Sequence, residues 1–203
     1  MTTPHPTVLP AGISSAVFAR ALVQLRKAVG SENVLTDREA LLPYEKLMLP
    51  ASADEYAPSG AVLPATVEQV QHVMAACNES RVPLWPISTG RNFGYGGALP
   101  ATRGQLILDL KRMNRILDVD PVLSTALIEP GVTYQQLHDH FAERNLPLWL
   151  DFPGGGPLVG PVGNTLERGT GSTPYADHFA NACGMEVVLA DGRILHTGMG
   201  SLP

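Results

Sequence analysis

The stretch Pro86-Ile-Ser-Thr-Gly-Arg-Asn-Phe-Gly-Tyr-Gly-Gly97 constrains this chain more than any other. Its four glycines follow Leu84–Ile87, a run that reads as a strand, and share the loop with Ser88, Thr89, Arg91 and Asn92. With so little side-chain bulk, successive backbone N–H groups can face one concavity and bind the oxygens of a phosphate or diphosphate. The pattern is not G-x-G-x-x-G, no helix-forming run follows directly, and no G-K-S/T occurs, so neither the Rossmann nor the Walker arrangement applies. On composition alone, a glycine-rich surface turn explains the stretch as well as a diphosphate loop does.

The chain holds 20 Gly and 18 Pro, and they gather in Ser88–Gly97, Pro153–Gly163 and Gly169–Pro174. Glycines confined to a few loops point to backbone brought close to a ligand, whereas an even spread would mean only flexibility. Between those loops the periodicity alternates between helix and strand. Val17, Phe18, Ala21, Leu22, Leu25 and Val29 recur at helical spacing behind Ser14 or Ser15 as caps, and Gly30 ends the run. A short helix is expected after Thr36-Asp37, and residues 43–60, rich in Pro and Gly, read as a linking loop. Ala61–Leu63 is a strand, and Thr66 with Gln69 is a capping box opening a helix whose Val70, Val73, Met74 and Cys77 share one face. Gln105–Leu110 is a buried strand, Asn114–Val119 an edge strand and Thr125–Glu129 another, the run from Ala61 onward forming one α+β unit. A helix capped by Thr133 should turn Leu137, His138 and Phe141 inward. Asp191-Gly192 between Met185–Leu189 and Arg193–Thr197 marks a hairpin.

Hydrophobic residues are 44% and charged ones 16% of the 203, the composition of a packed domain. A net charge of −5 without a basic run excludes nucleic-acid binding through a cationic face. Cys77 and Cys183 stand apart with no metal-ligand spacing and read as free thiols, and no metal site is expected. The N-terminus lacks a basic segment leading into an apolar one, and no window approaches a membrane span, so the expectation is a soluble chain without its own export signal, cytoplasmic or periplasmic. The last residues form a turn directly after a strand, which reads as a truncation.

Ser88-Thr-Gly-Arg-Asn-Phe-Gly-Tyr-Gly-Gly97 resembles the pyrophosphate loop of the vanillyl-alcohol oxidase and p-cresol methylhydroxylase flavoprotein family. Gly160-Pro-Val-Gly-Asn-Thr-Leu-Glu-Arg-Gly169, Thr173-Pro-Tyr-Ala-Asp-His178 and Gly184-Met-Glu-Val-Val-Leu189 resemble its second FAD-contacting segment, with Glu129-Pro-Gly-Val-Thr133 between them in the expected order. The resemblance covers roughly residues 60–203. It implies an α+β, PCMH-type FAD-binding domain of two α+β subdomains, truncated before the C-terminal substrate (cap) domain. Residues 1–57 would be a helical segment and linker, and 58–203 the FAD-binding domain, split into 58–120 with the pyrophosphate loop and 121–203.

Carried over residue by residue, the family implies that the loop from Pro86, Ile87, Ser88, Thr89, Gly90, Arg91 and Asn92 to Gly94 holds the pyrophosphate of FAD, chiefly through the amides of Ser88 to Asn92. Gly163, Asn164 and Thr165, with Arg168 and Gly169, would line the isoalloxazine and ribityl side, and Gly184, Glu186 and Val187 the adenine end. Tyr95 is the candidate catalytic residue, binding a phenol and favouring its phenolate so that hydride leaves the para side chain for flavin. Each has a plainer alternative: a packing ring for Tyr95, a solvated strand residue for Glu186, a capping turn for Asn164-Thr165. His178 could be a general base, though a structural hydrogen bond is the commoner role for a histidine without a partner motif.

Leu150-Asp-Phe-Pro153 runs straight into Gly154-Gly-Gly, without the second acidic residue that oxidase relatives carry there, and Asp151 is no substitute for it. That gap resembles the p-cresol methylhydroxylase branch, which implies a 4-cresol dehydrogenase-like oxidation of 4-alkylphenols through a quinone methide. It also implies a cytochrome c subunit as acceptor, a tyrosine-linked FAD and a homodimer in the full-length protein. The alternatives are a vanillyl-alcohol or eugenol oxidase-like enzyme, a member of the fold acting on sugars or lactate, and a remnant nucleotide-binding module without catalysis. Little turnover is expected of this chain alone.

Overall fold

The structure is a computed structural model that describes residues 8–46, 50–91, 97–174 and 176–199. Helix α1 (Ser15–Val29) starts where Ser14 accepts from the Val17 amide, and stops at Gly30, whose left-handed backbone returns its N–H to the Arg26 carbonyl. Its inward stripe of Phe18, Ala21, Leu25 and Val29 packs on Val70, Val73, Ala76 and Cys77 of α3 (Val67–Ser80). Burial pushes the Cys77 thiol up to about 12, so it behaves as a small apolar side chain. Thr66 caps α3 by accepting from Gln69 N, and the Gln69 side chain accepts in return from the Ala65 amide at 2.7 Å.

These helices cover one face of a four-stranded sheet made of β1 (Val34–Leu35), β2 (Gly60–Val62), β3 (Leu84–Ile87) and β4 (Leu106–Asp109), ordered β1-β2-β4-β3. β1 runs antiparallel to β2, whereas β2, β4 and β3 are parallel, so the C-terminal ends of β3 and β4 share one edge. Period-two alternation sends Leu106 and Leu108 to the helical face and Ile107 to the other. There Ile107 meets Leu41, Tyr44, Ala61, Ile87 and Ala98. Leu41 belongs to the short helix α2 (Arg38–Leu41), capped by Asp37.

Within the stretch that reads as a linking loop, Tyr44 and Ala57 are buried in the fold, and β1 and α1 are built into the same sheet and core as the strands that follow. One expectation is corrected here: Ala61–Glu129 does not form one unit, because among the described residues β5 (Ile116–Asp120) and β6 (Thr125–Ile128) pair only with each other. That pair packs with α4 (Tyr134–Glu143) in a separate cluster around Val132, Leu137 and Phe141. His138 points outward, its side chain 72% exposed, and Tyr134 takes the inward place instead.

A six-residue helix, α5 (Pro161–Leu166), precedes the hairpin of β7 (Gly184–Val188) and β8 (Ile194–Gly198). Gly192 makes the hairpin's turn in a left-handed conformation, as Asp191-Gly192 predicts. The hairpin is fastened to α3: Gln71 and Asn78 each donate at 2.7 Å, to the Gly192 and Ala190 carbonyls. Among the described residues no helix is long and apolar enough to cross a membrane.

Candidate functional site

Ser88, the first residue past β3, is the point on which separate segments converge. Its hydroxyl donates to the Pro130 carbonyl, in the turn after β6. That turn is held by Glu129, which is buried and accepts from the Arg115 guanidinium at 2.7 and 3.0 Å and from the Arg115 amide at 2.7 Å. Burial pushes the Glu129 carboxyl up, but the Arg115 hydrogen bonds and charge outweigh it and hold it below the ordinary range.

From the other side α5 closes on the same residue. A β-carbon on Gly163 would lie 2.9 Å from Ser88 Cβ, and one on Gly160 would lie 2.9 Å from Thr89 Cγ2. Only hydrogens fit at those two positions, so the backbone of α5 lies flush against Ser88 and Thr89. Gly90 closes the neck of the loop: it is left-handed at φ +66°, and a β-carbon there would meet Ala98 Cβ at 3.0 Å and Ile87 Cδ1 at 3.1 Å.

Among the described residues, none accepts a hydrogen bond from the amides of Ser88, Thr89, Gly90 or Arg91. A run of unengaged donors next to a wall of glycines suits an anionic ligand with several oxygens, and a diphosphate fits that description. Arg91 is exposed at the rim. Asn92, Gly94 and Tyr95 lie outside the described residues.

The sequence-predicted residues of the second segment divide. Gly163 touches Ser88, whereas Asn164, Arg168 and Gly169 shape the helix itself. Gly169 N donates to Asn164 O at 2.7 Å and left-handed Arg168 ends the helix, its guanidinium 3.8 Å from the Phe179 ring centroid. Thr165 lies on α5, where its carbonyl accepts from Arg168 N at 3.2 Å. Gly184, Glu186 and Val187 lie on the hairpin, whose hydrogen bonds lead to α3 and not to the loop, and Glu186 faces His196 across it at 3.7 Å. Pro86 and Ile87 are strand residues of β3, Ile87 in the core.

His178 lies under this segment. Its Nδ1 is 2.5 Å from Asn164 Oδ1 and 3.4 Å from the Tyr134 hydroxyl, and its buried Nε2 faces Asp151 Oδ2 at 3.4 Å with no closer partner. Both ring nitrogens are turned into the protein, which makes His178 a strut between α5 and the Leu150–Pro153 segment and not an open base. Asp151 in turn accepts from the Ser172 amide at 2.8 Å and the Thr173 hydroxyl at 2.8 Å, clasping the Gly171–Thr173 loop. Burial pushes the Asp151 carboxyl up, yet the Thr173, Ser172 and His178 hydrogen bonds outweigh it and keep it below the usual range. Burial and the Asp151 charge push the Tyr134 phenol up to about 12.

Sequence reasoning missed the support behind the loop. Tyr44 donates to Asp109 Oδ2 at 2.6 Å, and Asp109, fully buried, pairs in register with Ile87 at the end of β3. A buried Asp ending a parallel strand beside a glycine loop was the available signal, but nothing local ties it to a tyrosine 65 positions earlier.

Comparison with known proteins places the fold and the family. The chain is 51% identical over its whole length to the 4-cresol dehydrogenase (hydroxylating) flavoprotein subunit of Pseudomonas putida, of which it spans 39%. Its fold superposes on a p-cresol methylhydroxylase structure with substrate bound at a TM-score of 0.94 and 52% identity, over 97% of this chain and 38% of that one. A 4-ethylphenol oxidase from Gulosibacter chungangensis in complex with isoeugenol follows at 0.92 and 40%, over 96% of this chain and 37% of that one. The chain thus spans about two fifths of the length of the relatives it matches, and its α+β architecture is that of the PCMH-type FAD-binding fold. Residues 58–198 match the FAD binding domain family, and the chain belongs to that family of flavoproteins.

Proposed function

We propose that this chain is the FAD-binding part of a flavin-dependent oxidoreductase that oxidises 4-alkylphenols in the manner of a 4-cresol dehydrogenase. The convergence on Ser88 of the glycine loop, the Glu129–Gly131 turn and the glycine face of α5, leaving the Ser88–Arg91 amides unengaged among the described residues, is the observation that carries the reading. Those amides hold the diphosphate of FAD, and Gly163, Asn164 and Thr165 form the wall beside its flavin end. FAD, when bound, supplies a two-electron acceptor for hydride.

Tyr95 accommodates the phenol oxygen and favours its phenolate, and the charge on that oxygen drives hydride loss from the side-chain carbon attached at the para position, leaving a quinone methide to which water adds. Glu186 and Val187 lie along the adenine end. A cytochrome c subunit takes the electrons onward, a reading supported by the Pseudomonas putida relative being a flavoprotein subunit of a larger enzyme. Because the chain spans 39% of that relative, turnover requires polypeptide beyond these 203 residues.

The 40% identity to a 4-ethylphenol oxidase favours a second reading, in which oxygen is the acceptor. Against it stands the Leu150-Asp-Phe-Pro-Gly-Gly segment, which offers no carboxylate after Asp151.

The test is a titration of the purified chain with FAD, followed by flavin fluorescence and the visible spectrum. Saturable quenching with a shifted flavin band is the expected result. A folded chain that leaves FAD fluorescence unchanged overturns the assignment.

A further inference from the structure

The edge that carries the Ser88–Arg91 amides also holds a carboxylate. β3 and β4 are parallel, so Asp109 ends β4 beside Ile87, the residue before Ser88. Asp109 is 0% exposed. An unneutralised buried carboxylate there would repel the anion that the loop amides are free to bind, and in a low-dielectric interior that repulsion is not screened away. The structure answers it with Lys111 and Tyr44. Lys111 Nζ lies 2.9 Å from Asp109 Oδ2, the Lys111 amide donates to Asp109 Oδ1 at 3.0 Å, and the Tyr44 hydroxyl donates to Oδ2 at 2.6 Å. The ammonium also stands 4.9 Å from the Tyr44 ring centroid, over its face.

Tyr44 reaches this point from a segment that lies outside the part of the chain matching the FAD binding domain family, residues 58–198. The same segment backs the loop itself: Tyr44 packs with Ile87 and Ala98 at the two sides of its neck, and a β-carbon on Gly97 would meet the Lys46 carbonyl at 3.3 Å. Burial, then the Asp109 charge and hydrogen bond, push the Tyr44 phenol far up, so it remains a neutral donor to the carboxylate.

We propose that Lys111, with Tyr44, is the charge-balancing and positioning element of the cofactor loop, neutralising Asp109 so that a diphosphate can occupy the adjacent amides. This rests on the FAD reading above and adds to it a residue pair acting through Asp109 and not by touching flavin. The role makes a prediction that mere folding would not. Perturbing the charge balance should change affinity for diphosphate-bearing ligands and leave riboflavin, which has none, unaffected.

The experiment measures binding of FAD, inorganic pyrophosphate (as a competitor of FAD) and riboflavin to the wild-type chain and four variants, with the thermal midpoint of each followed by circular dichroism. Lys111→Met should weaken FAD and pyrophosphate on the order of tenfold, and Lys111→Arg should restore both. Asp109→Asn, which leaves Lys111 without its carboxylate partner, should tighten pyrophosphate. The double variant Asp109→Asn with Lys111→Met should return close to wild type whether or not Lys111→Met alone folds. Equal pyrophosphate affinity across Asp109→Asn, the double variant and wild type overturns the charge-balancing role while leaving the FAD reading intact. A wild-type chain that binds neither FAD nor pyrophosphate overturns the FAD reading and this role with it.

Discussion

Ser88 and Gly163, 75 positions apart in sequence, are packed so closely that a methyl group on Gly163 would sit 2.9 Å from Ser88 Cβ. The contact sets the distance between the glycine loop after β3 and the helix facing it. Gly163→Ala must therefore move one or the other, at an overpacking cost of about 1–3 kcal/mol. Fluorescence titration should show weaker FAD binding, with the α1–α3 core unchanged by near-ultraviolet circular dichroism. An alanine variant that binds FAD as tightly as wild type would mean that this contact does not govern the site.

Tyr44→Phe keeps the ring packed with Ile87 and Ala98 and deletes only the 2.6 Å bond to buried Asp109. Losing a donor to a buried charge should cost about 1–3 kcal/mol, read as a fall in the urea midpoint with unchanged m-value. If the midpoint does not move, water or another donor satisfies Asp109 in its place.

These two contacts show what sequence could and could not disclose. Helix α1 was legible because cap, stripe and stop are local: Ser14, the Phe18–Val29 repeat and Gly30 lie within one run. The β7–β8 hairpin was legible for the same reason, since Asp191-Gly192 dictates the turn. Helix α5 was not. Pro-Val-Gly-Asn-Thr-Leu has poor helix propensity, and the segment is helical because Gly160 and Gly163 seat it on Ser88 while His178 holds Asn164 from below. The resemblance of its motif pointed to this segment without its shape. Tyr44 was read as linker because Pro43 and its neighbours obscure periodicity, and its partner Asp109 is distant in the chain.

Glu129 makes stability depend on acid. Its folded-state carboxyl is held below its ordinary value of 4.5 despite burial, because Arg115 donates to it through side chain and backbone. A depressed value means the contribution is fully present above the unfolded value and is lost as pH falls through the folded one. Asp151, lowered from 3.8 by the Thr173, Ser172 and His178 hydrogen bonds against its own desolvation, acts in the same direction. Glu129→Gln should lower stability at neutral pH and flatten the acid limb below about pH 4.5. Urea unfolding at neutral pH and at about pH 3 checks both halves. A variant whose stability falls as steeply with acid as wild type would place the linkage elsewhere.

His178 offers the sharpest test of how the second wall of the site is held. Its ring lies between Asn164 at 2.5 Å and Asp151 at 3.4 Å, and the side chain is 9% exposed, so removing it leaves two half-buried polar groups without their shared neighbour. His178→Leu should loosen α5 and the clasped Gly171–Thr173 loop but not the distant α1–α3 core. Amide exchange should therefore quicken at Asn164 and Glu167, whose N–H groups close α5 onto the Gly160 and Gly163 carbonyls at 3.0 Å. Protection at Val70 and Val73 of α3 should stay as in wild type. His178→Gln, able to reach one partner with a polar amide, should restore part of the protection and part of the FAD affinity. Were the leucine variant instead to keep α5 protected and FAD bound while losing only activity in a complete enzyme, the histidine would be acting on chemistry and not on geometry, and the strut description would be wrong.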